Sequence, residues 1–283
     1  MGNNIRNTGE ERKKLEKWKK DLESIERELT YLNILRSDFE KFRKVVLLVE
    51  GCKSEDEPFL SSFKVFANLV LRGYVASIVM GIRRQLKAKD DTISLIGILK
   101  DIKQNNQYIS KSYYISLHQH EDEDVKSTNL SVNEDEELSD EDEKAIENHI
   151  KDHIKERRKE IAEGGWKKLL GDCEYLPSEV VESDIKKLKD PAEEIEYFAD
   201  KYVAHHDRKV DNSKAGVTLN KIDEVLKNFW DIYNKYLNLL KGAEIILPEG
   251  AELISLTPTR QFNDQKFFDE FEIWLKERLC DKK

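Results

Sequence analysis

Apolar positions recur at intervals of three and four residues along most of this chain, a spacing that predicts helices. Leu15, Trp18, Leu22, Ile25, Leu29 and Leu32 mark the first helix. Thr8 and Glu11 form a capping box ahead of it, and the stripe continues or restarts through Phe39, Phe42, Val46 and Val49. Gly51 to Pro58 reads as a turn with Gly51 as C-cap. A more apolar helix follows from Phe59 to about Leu86. Because Lys64 and Arg72 interrupt its most apolar part, Phe59 to Ile82, it is expected as a buried core helix and not a membrane span. Asp90-Asp91-Thr92 supplies the cap for a helix from Ile93 to Ile102. Residues 103 to 120, with Tyr108, Ile109, Tyr113, Tyr114, Ile115 and Leu117, fit either a short helix or an extended piece.

Farther along, Ala145 to about Leu170 reads as a charged helix with a kink or break at Gly164-Gly165. Pro177-Ser178 opens a helical region through Val180, Val181, Ile185 and Leu188, and Pro191 starts the next helix. Thr218 caps a long amphipathic helix from Leu219 to Leu240, whose regular stripe is core, and Gly242 ends it. Two strand-like apolar pieces come next, Ala243 to Leu247 and Leu253 to Leu256. A closing helix then carries Phe267, Phe268, Phe271, Trp274, Leu275 and Leu279; these are core if covered and a partner-binding face if exposed. Within the second helix Gly73, Ser77 and Gly81 recur every fourth residue, a ridge that lets another helix approach closely. An internal partner is favoured over the same helix of a second copy.

Composition agrees with an all-α chain: charged residues make up 37% of it, and only 12 glycines and 5 prolines occur in 283 residues. The net charge of −9 is local, because residues 121 to 143 hold twelve carboxylates and one lysine (−11), leaving the remainder at +2. The body is therefore near neutral, and the charge neither excludes nor supports an anionic ligand such as RNA. The acidic tract reads as a solvated, flexible insert; mimicry of nucleic acid, occluding a basic cleft, is the alternative. Three widely spaced cysteines, Cys52, Cys173 and Cys280, form neither a zinc signature nor an even disulfide set, which points to a reducing cytoplasm. No secretory leader, dinucleotide or P-loop glycine pattern, or nucleophile elbow is visible.

Titratable groups crowd the stretch Glu193 to Lys209, EEIEYFADKYVAHHDRK, where Ile195, Phe198 and Tyr202 give a helix one apolar face. On an ideal helix Lys201 and His205 share a face, and Asp200 points about 140° away from His205. Acid–base and cationic groups beside a core stripe are what a site needs, although basic residues also simply cap helix ends. His149 and His153 are one helical turn apart, and His118 and His120 alternate; with no supporting partner to name, both pairs read as surface histidines, and no metal or cofactor is expected.

Three segments together resemble a known family. IRRQLKAKDDTISLIGILKDI (Ile82 to Ile102), DIKKLKDPAEEIEYFADKYVAHHDRK (Asp184 to Lys209) and VTLNKIDEVLKNFWDIYNKYLNLLKG (Val217 to Gly242) look like successive segments of the AbiU-like abortive-infection proteins, a bacterial branch of the HEPN superfamily. The resemblance implies an all-α, HEPN-like helical bundle of long amphipathic helices over residues 1–242, interrupted by the acidic insert at about 119–145. Residues 243–283 form a C-terminal extension with the closing helix. It further implies a cytoplasmic homodimer acting in phage defence or as a toxin, with RNA as substrate and an antitoxin or other regulatory protein as partner.

In active relatives an arginine, a polar residue and a histidine form a metal-independent ribonuclease site. The family pattern R-N-K-x-x-A-H-x-D places His205 as the acid–base residue, with Asp200 at the usual asparagine and Lys201 beside it. Ala199 stands where the family has its arginine, so a cation from elsewhere must steady the phosphate: Lys201, or Arg83, Arg84 or Arg208. A non-catalytic helical module that binds a partner protein or nucleic acid is the alternative function.

Overall fold

The stripe from Leu15 to Val49 folds as one uninterrupted helix, α1 (Thr8–Gly51), followed by α2 (Glu57–Leu86), α3 (Leu95–Gln104), α4 (Lys111–Gln119), α5 (Asp140–Leu170), α6 (Ser178–Lys189), α7 (Glu193–Phe198) and α8 (Leu219–Lys241). The structure, a computed structural model, describes residues 8–51, 57–89, 92–119, 140–204, 217–242 and 273. Among them there is no strand, only two isolated bridges, Lys89 with Thr92 and Ser110 with Tyr175. The fold is all-α. The strand-like pieces after Gly242, the apolar positions of the closing helix and the acidic tract up to Ser139 lie outside the described residues. The tract's last four residues, 140–143, open α5.

Several helix ends follow from identifiable hydrogen bonds. The cap of α3 is Ser94, not the Asp90-Asp91-Thr92 run: its hydroxyl accepts from the Gly97 N–H at 3.1 Å and donates to the Lys87 carbonyl at 2.7 Å. Thr218 caps α8 as expected, accepting from the Lys221 N–H at 3.3 Å. Gly242 closes α8 at φ 65°, the left-handed conformation that suits glycine after a helix. Gly164 and Gly165 do not break α5. Gly165 is there for contact, because a Cβ at this position would sit 3.0 Å from the Tyr114 hydroxyl.

The described residues fall into two compact units. One is drawn from within Met1–Lys19, Asp101–Ser183 and Asn234–Glu244. Here Trp18, Trp166, Tyr236 and Leu240 are fully buried. The Trp18 indole donates to Asp101 at 3.0 Å, and the Trp166 indole donates to the Cys173 carbonyl at 2.7 Å. Lys14 and Asn105 also donate to Asp101. Burial pushes the Asp101 carboxyl up, but the Lys14 and Trp18 hydrogen bonds outweigh it and hold the group below its ordinary range.

The other unit is drawn from within Lys20–Lys100, Asp184–Tyr233 and Ile245–Lys283. Its core is the stripe Leu22, Ile25, Leu29 and Leu32 of α1, with Ile78 and Ile82 of α2 and Phe229 and Tyr233 of α8, all fully buried or nearly so. Arg36 of α1 grips Asp223 of α8 through two nitrogens, at 2.6 and 2.9 Å, and Tyr233 donates to Glu26 at 3.0 Å. Gly81 fits against Leu32, so the internal partner expected for the small-residue ridge exists at that end. At Gly73 nothing lies within 4 Å. The expectation of a buried core helix holds for only part of α2. By length and composition Pro58–Leu86 is apolar enough to cross a membrane, and only 33% of its most apolar window is buried. The buried part is concentrated from Ile78 onward, whereas Val65, Phe66 and Leu69 face solvent.

Candidate functional site

The C-terminal end of α2 carries its cations one after another, Arg83 and Arg84 on the helix and Lys87 just past it. A loop would let these side chains wander, but this one is fastened. Gln85 is fully buried, and its side-chain carbonyl accepts from the Leu95 N–H at 3.1 Å. Ser94 holds the Lys87 carbonyl, so the backbone that presents Arg83 and Lys87 is tied to the start of α3 at two points.

Opposite this end lie α7 and the turn that follows it. From Ala199 to Ala204 the chain leaves α geometry for a π-helical turn, a rare conformation often found where a helix serves a site. The angles expected of an ideal helix therefore do not apply between Asp200 and the residues beyond. In this turn Asp200 forms an ion pair with Arg83, and Lys87 stands 3.7 Å from the same carboxylate oxygen. Two cations one helical turn apart thus share one carboxylate across 117 and 113 residues of sequence. The Arg83 side chain is 21% exposed, and its Nε is buried without a hydrogen-bond partner among the described residues.

Glu196 sits one turn before Asp200 and brings a second carboxyl to the cluster. Burial pushes its carboxyl above the ordinary range; Lys87, Lys189 and Arg83 pull against that, while Asp200 adds to it. The result is a mixed-charge cluster of Arg83, Lys87, Lys189, Glu196 and Asp200, all within one unit. Such a cluster can steady an anion with its cations and hold their aim with its carboxylates.

The structure brings together Asp200 and Arg83 of the residues singled out from sequence, and places Lys201, half-buried, in the same turn. Arg84 turns elsewhere, pairing with Glu28 of α1 at 2.9 Å. His205 and Arg208 lie outside the described residues, which stop at Ala204, one residue before the histidine. Ala199 is fully buried, so the position of the motif arginine points into the core. Sequence reasoning missed Lys87 and Glu196. Both were one helical step from residues already chosen, Lys87 four past Arg83 and Glu196 four before Asp200.

The remaining histidine candidates stand apart from this cluster. His149 and His153 are exposed on α5, and no group of three His, Cys, Asp or Glu side chains among the described residues could hold a metal ion. His118 packs edge-on against Tyr114 with its Nε2 buried and unpartnered among the described residues. Burial lowers its pKa. His120 lies outside the described residues.

Compared with known proteins, the chain matches the family model HEPN_AbiU2, described as AbiU2, over residues 15–265. No curated protein and no solved structure matches it. A match over so much of the chain settles the family: the chain belongs to the AbiU2 family and is a HEPN-type, abortive-infection-related protein.

Proposed function

We propose that this AbiU2-family protein is a metal-independent ribonuclease in which Arg83 supplies the guanidinium that the motif lacks at Ala199. The observation that carries the reading is the Arg83–Asp200 ion pair. It joins the first resemblance segment to the second at the turn just ahead of His205, where a phosphate-steadying cation is required. RNA suits such a site because its own 2′-hydroxyl attacks the adjacent phosphorus and the 5′-oxygen leaves. His205 exchanges protons with the attacking or leaving oxygen, and Arg83 and Lys87 face the charge that develops on the phosphorane. Asp200 acts as a positioning residue by holding the guanidinium in place, and Lys201 adds a point charge from the same turn. The setting we propose is the cytoplasm, with an antitoxin or other regulatory protein restraining the activity until infection.

The fact that Asp200 already neutralises Arg83 also favours a second reading, a non-catalytic helical module that binds a nucleic acid or a partner protein. Incubation of the purified chain with mixed RNA in chelator separates the two. Cleavage by the wild type, lost in His205→Ala and reduced on the order of 100-fold in Arg83→Ala, supports the enzyme. Arg84→Ala, whose guanidinium pairs with Glu28, serves as the control and leaves the rate within a few-fold. Cleavage that survives both His205→Ala and Arg83→Ala rejects the proposed site. Absence of cleavage even at high protein concentration leaves the binding module.

A further inference from the structure

The N-terminal half of α2 has one covered side and one bare one. Phe63 and Ala67 turn toward α1, where they meet Val45 and Val49. On the opposite side Val65 is 71% exposed, Phe66 53% and Leu69 69%. Small exposed residues bound the three, Ser62 before them and Gly73 after, so they stand as an isolated ridge of roughly 300–350 Å². A bare apolar ridge of that size marks a docking surface. No carboxylate occurs from Pro58 to Leu86, and exposed Arg72 borders the ridge.

We infer that the chain's own closing helix, Phe267 to Leu279, packs on this ridge. Its spacing puts Phe267, Phe268, Phe271, Trp274, Leu275 and Leu279 on one face, a stripe with as much need of cover as the ridge itself. Ile273 is helical, falls within the same compact unit as α2 and is 57% exposed. On an ideal helix it points about 170° away from the centre of that stripe, so the side that meets solvent is the one the stripe leaves free.

Length and charge favour this occupant over a separate molecule. The 25 residues from Gly242 to Lys266 span up to about 80 Å, against about 45 Å for the whole of α2, so the tether is long enough. A helix on such a tether meets the ridge at an effective concentration on the order of 1 mM, which a free partner rarely matches. From 264 to 277 the segment carries five carboxylates and two lysines, and Glu270 and Glu272 flank its stripe. That charge complements a helix whose ridge is bordered by Arg72 and which holds no acid from Pro58 onward. Residues 267–279 lie past the end of the AbiU2 match at 265, so the contact is additional to what the family supplies.

The inference does not depend on the nuclease reading, and acrylamide quenching of tryptophan emission from the full-length chain tests it. Of the four tryptophans, Trp18, Trp166 and Trp230 are buried, so Trp274 alone reports on the closing helix. Its share of the signal is the difference between the wild type and Trp274→Phe. The expected result is a Trp274 as protected as the buried three, unchanged from about 1 to about 100 μM protein because the contact is intramolecular. Val65→Ser with Leu69→Ser should raise its quenching several-fold, with the helical circular dichroism retained because both side chains are exposed. Phe271→Ser, which leaves α2 intact, should do the same. A Trp274 that is freely quenched in the wild type overturns the inference. So does protection that survives the α2 double variant, which would place the helix on another surface, or protection that builds only with concentration, which would give the ridge to a second copy. Binding of the wild type to phosphatidylserine vesicles, lost in the double variant, would likewise overturn it in favour of a membrane surface.

Discussion

Gly73 and Gly81 lie on one helix eight residues apart, and changing each to alanine should affect stability differently, raising it at Gly73 and not at Gly81. At Gly81 a Cβ would stand 2.4 Å from Leu32 Cδ2 and 3.4 Å from Leu32 Cγ. Ordinary carbon–carbon contacts lie near 3.5–4.0 Å, so the overlap exceeds about 1 Å. Leu32 cannot give way freely, since it is 1% exposed in a core that includes fully buried Ile78 and Ile82. Overpacking of this kind costs about 1–3 kcal/mol, against a gain of about 1 kcal/mol from replacing a helical glycine by alanine. At Gly73 the gain comes without the clash. The helix-propensity gain is common to both variants, so their stabilities should differ by the overpacking cost alone, about 1–3 kcal/mol. Urea unfolding followed by circular dichroism measures this difference. The midpoint of Gly73→Ala should lie above wild type and that of Gly81→Ala at or below it. A Gly81→Ala chain as stable as Gly73→Ala would show that Leu32 swings aside without cost and would refute the reasoning that this contact leaves no room for a Cβ.

Other consequences are open to the same measurement. Asp101→Ala leaves the fully buried Trp18 indole without its acceptor and should cost about 1–3 kcal/mol near neutral pH. Asp101 is held below 3.8, so its contribution is complete above that value and fades as pH falls through the lowered one; the deficit of the variant should shrink on acidification. Burial lowers His118, so below 6.5 the unfolded chain binds more protons than the folded one, and stability should decline from pH 6.5 down to the lowered value. Thermal midpoints of wild type and His118→Gln against pH should show this slope flattened in the variant. Gly242→Ala combines a φ of 65° with a Cβ placed 3.3 Å from Leu117 Cβ, and should lower the midpoint by an amount equivalent to about 1 kcal/mol or more.

The sequence placed a helix at every described helix of ten residues or more, most of them from a core stripe that leaves its 3.6-residue signature whatever it packs against, although α5 was read from its charged composition. The long stripe of α8 is the clearest case: Thr218 and Gly242 bound it in sequence as they do in space. Less legible were features that depend on distant partners. Two adjacent glycines in α5 read as a break because nothing local reveals that Tyr114 needs the space at Gly165. The ridge of Gly73, Ser77 and Gly81 read as one surface, but steps of four residues advance about 40° around the helix. It therefore winds from open solvent at Gly73 to the Leu32 contact at Gly81. In the site, Asp200 and Arg83 were both nameable from the resemblance, but not their pairing. Nor could sequence foresee that α7 would give way to a π-helical turn, because periodicity assumes the geometry it is used to find.

The burial of Ala199 bears on how this branch of the family can change. The simplest repair of the broken motif, a single substitution restoring arginine at 199, would drive a permanent cation into a packed interior that holds only a methyl group. Such a substitution is expected to destabilise the fold, because the guanidinium would have to be buried without a partner. In the ribonuclease we propose, the guanidinium therefore comes from α2 instead, where Asp200 holds Arg83 and Lys87 stands beside the same carboxylate.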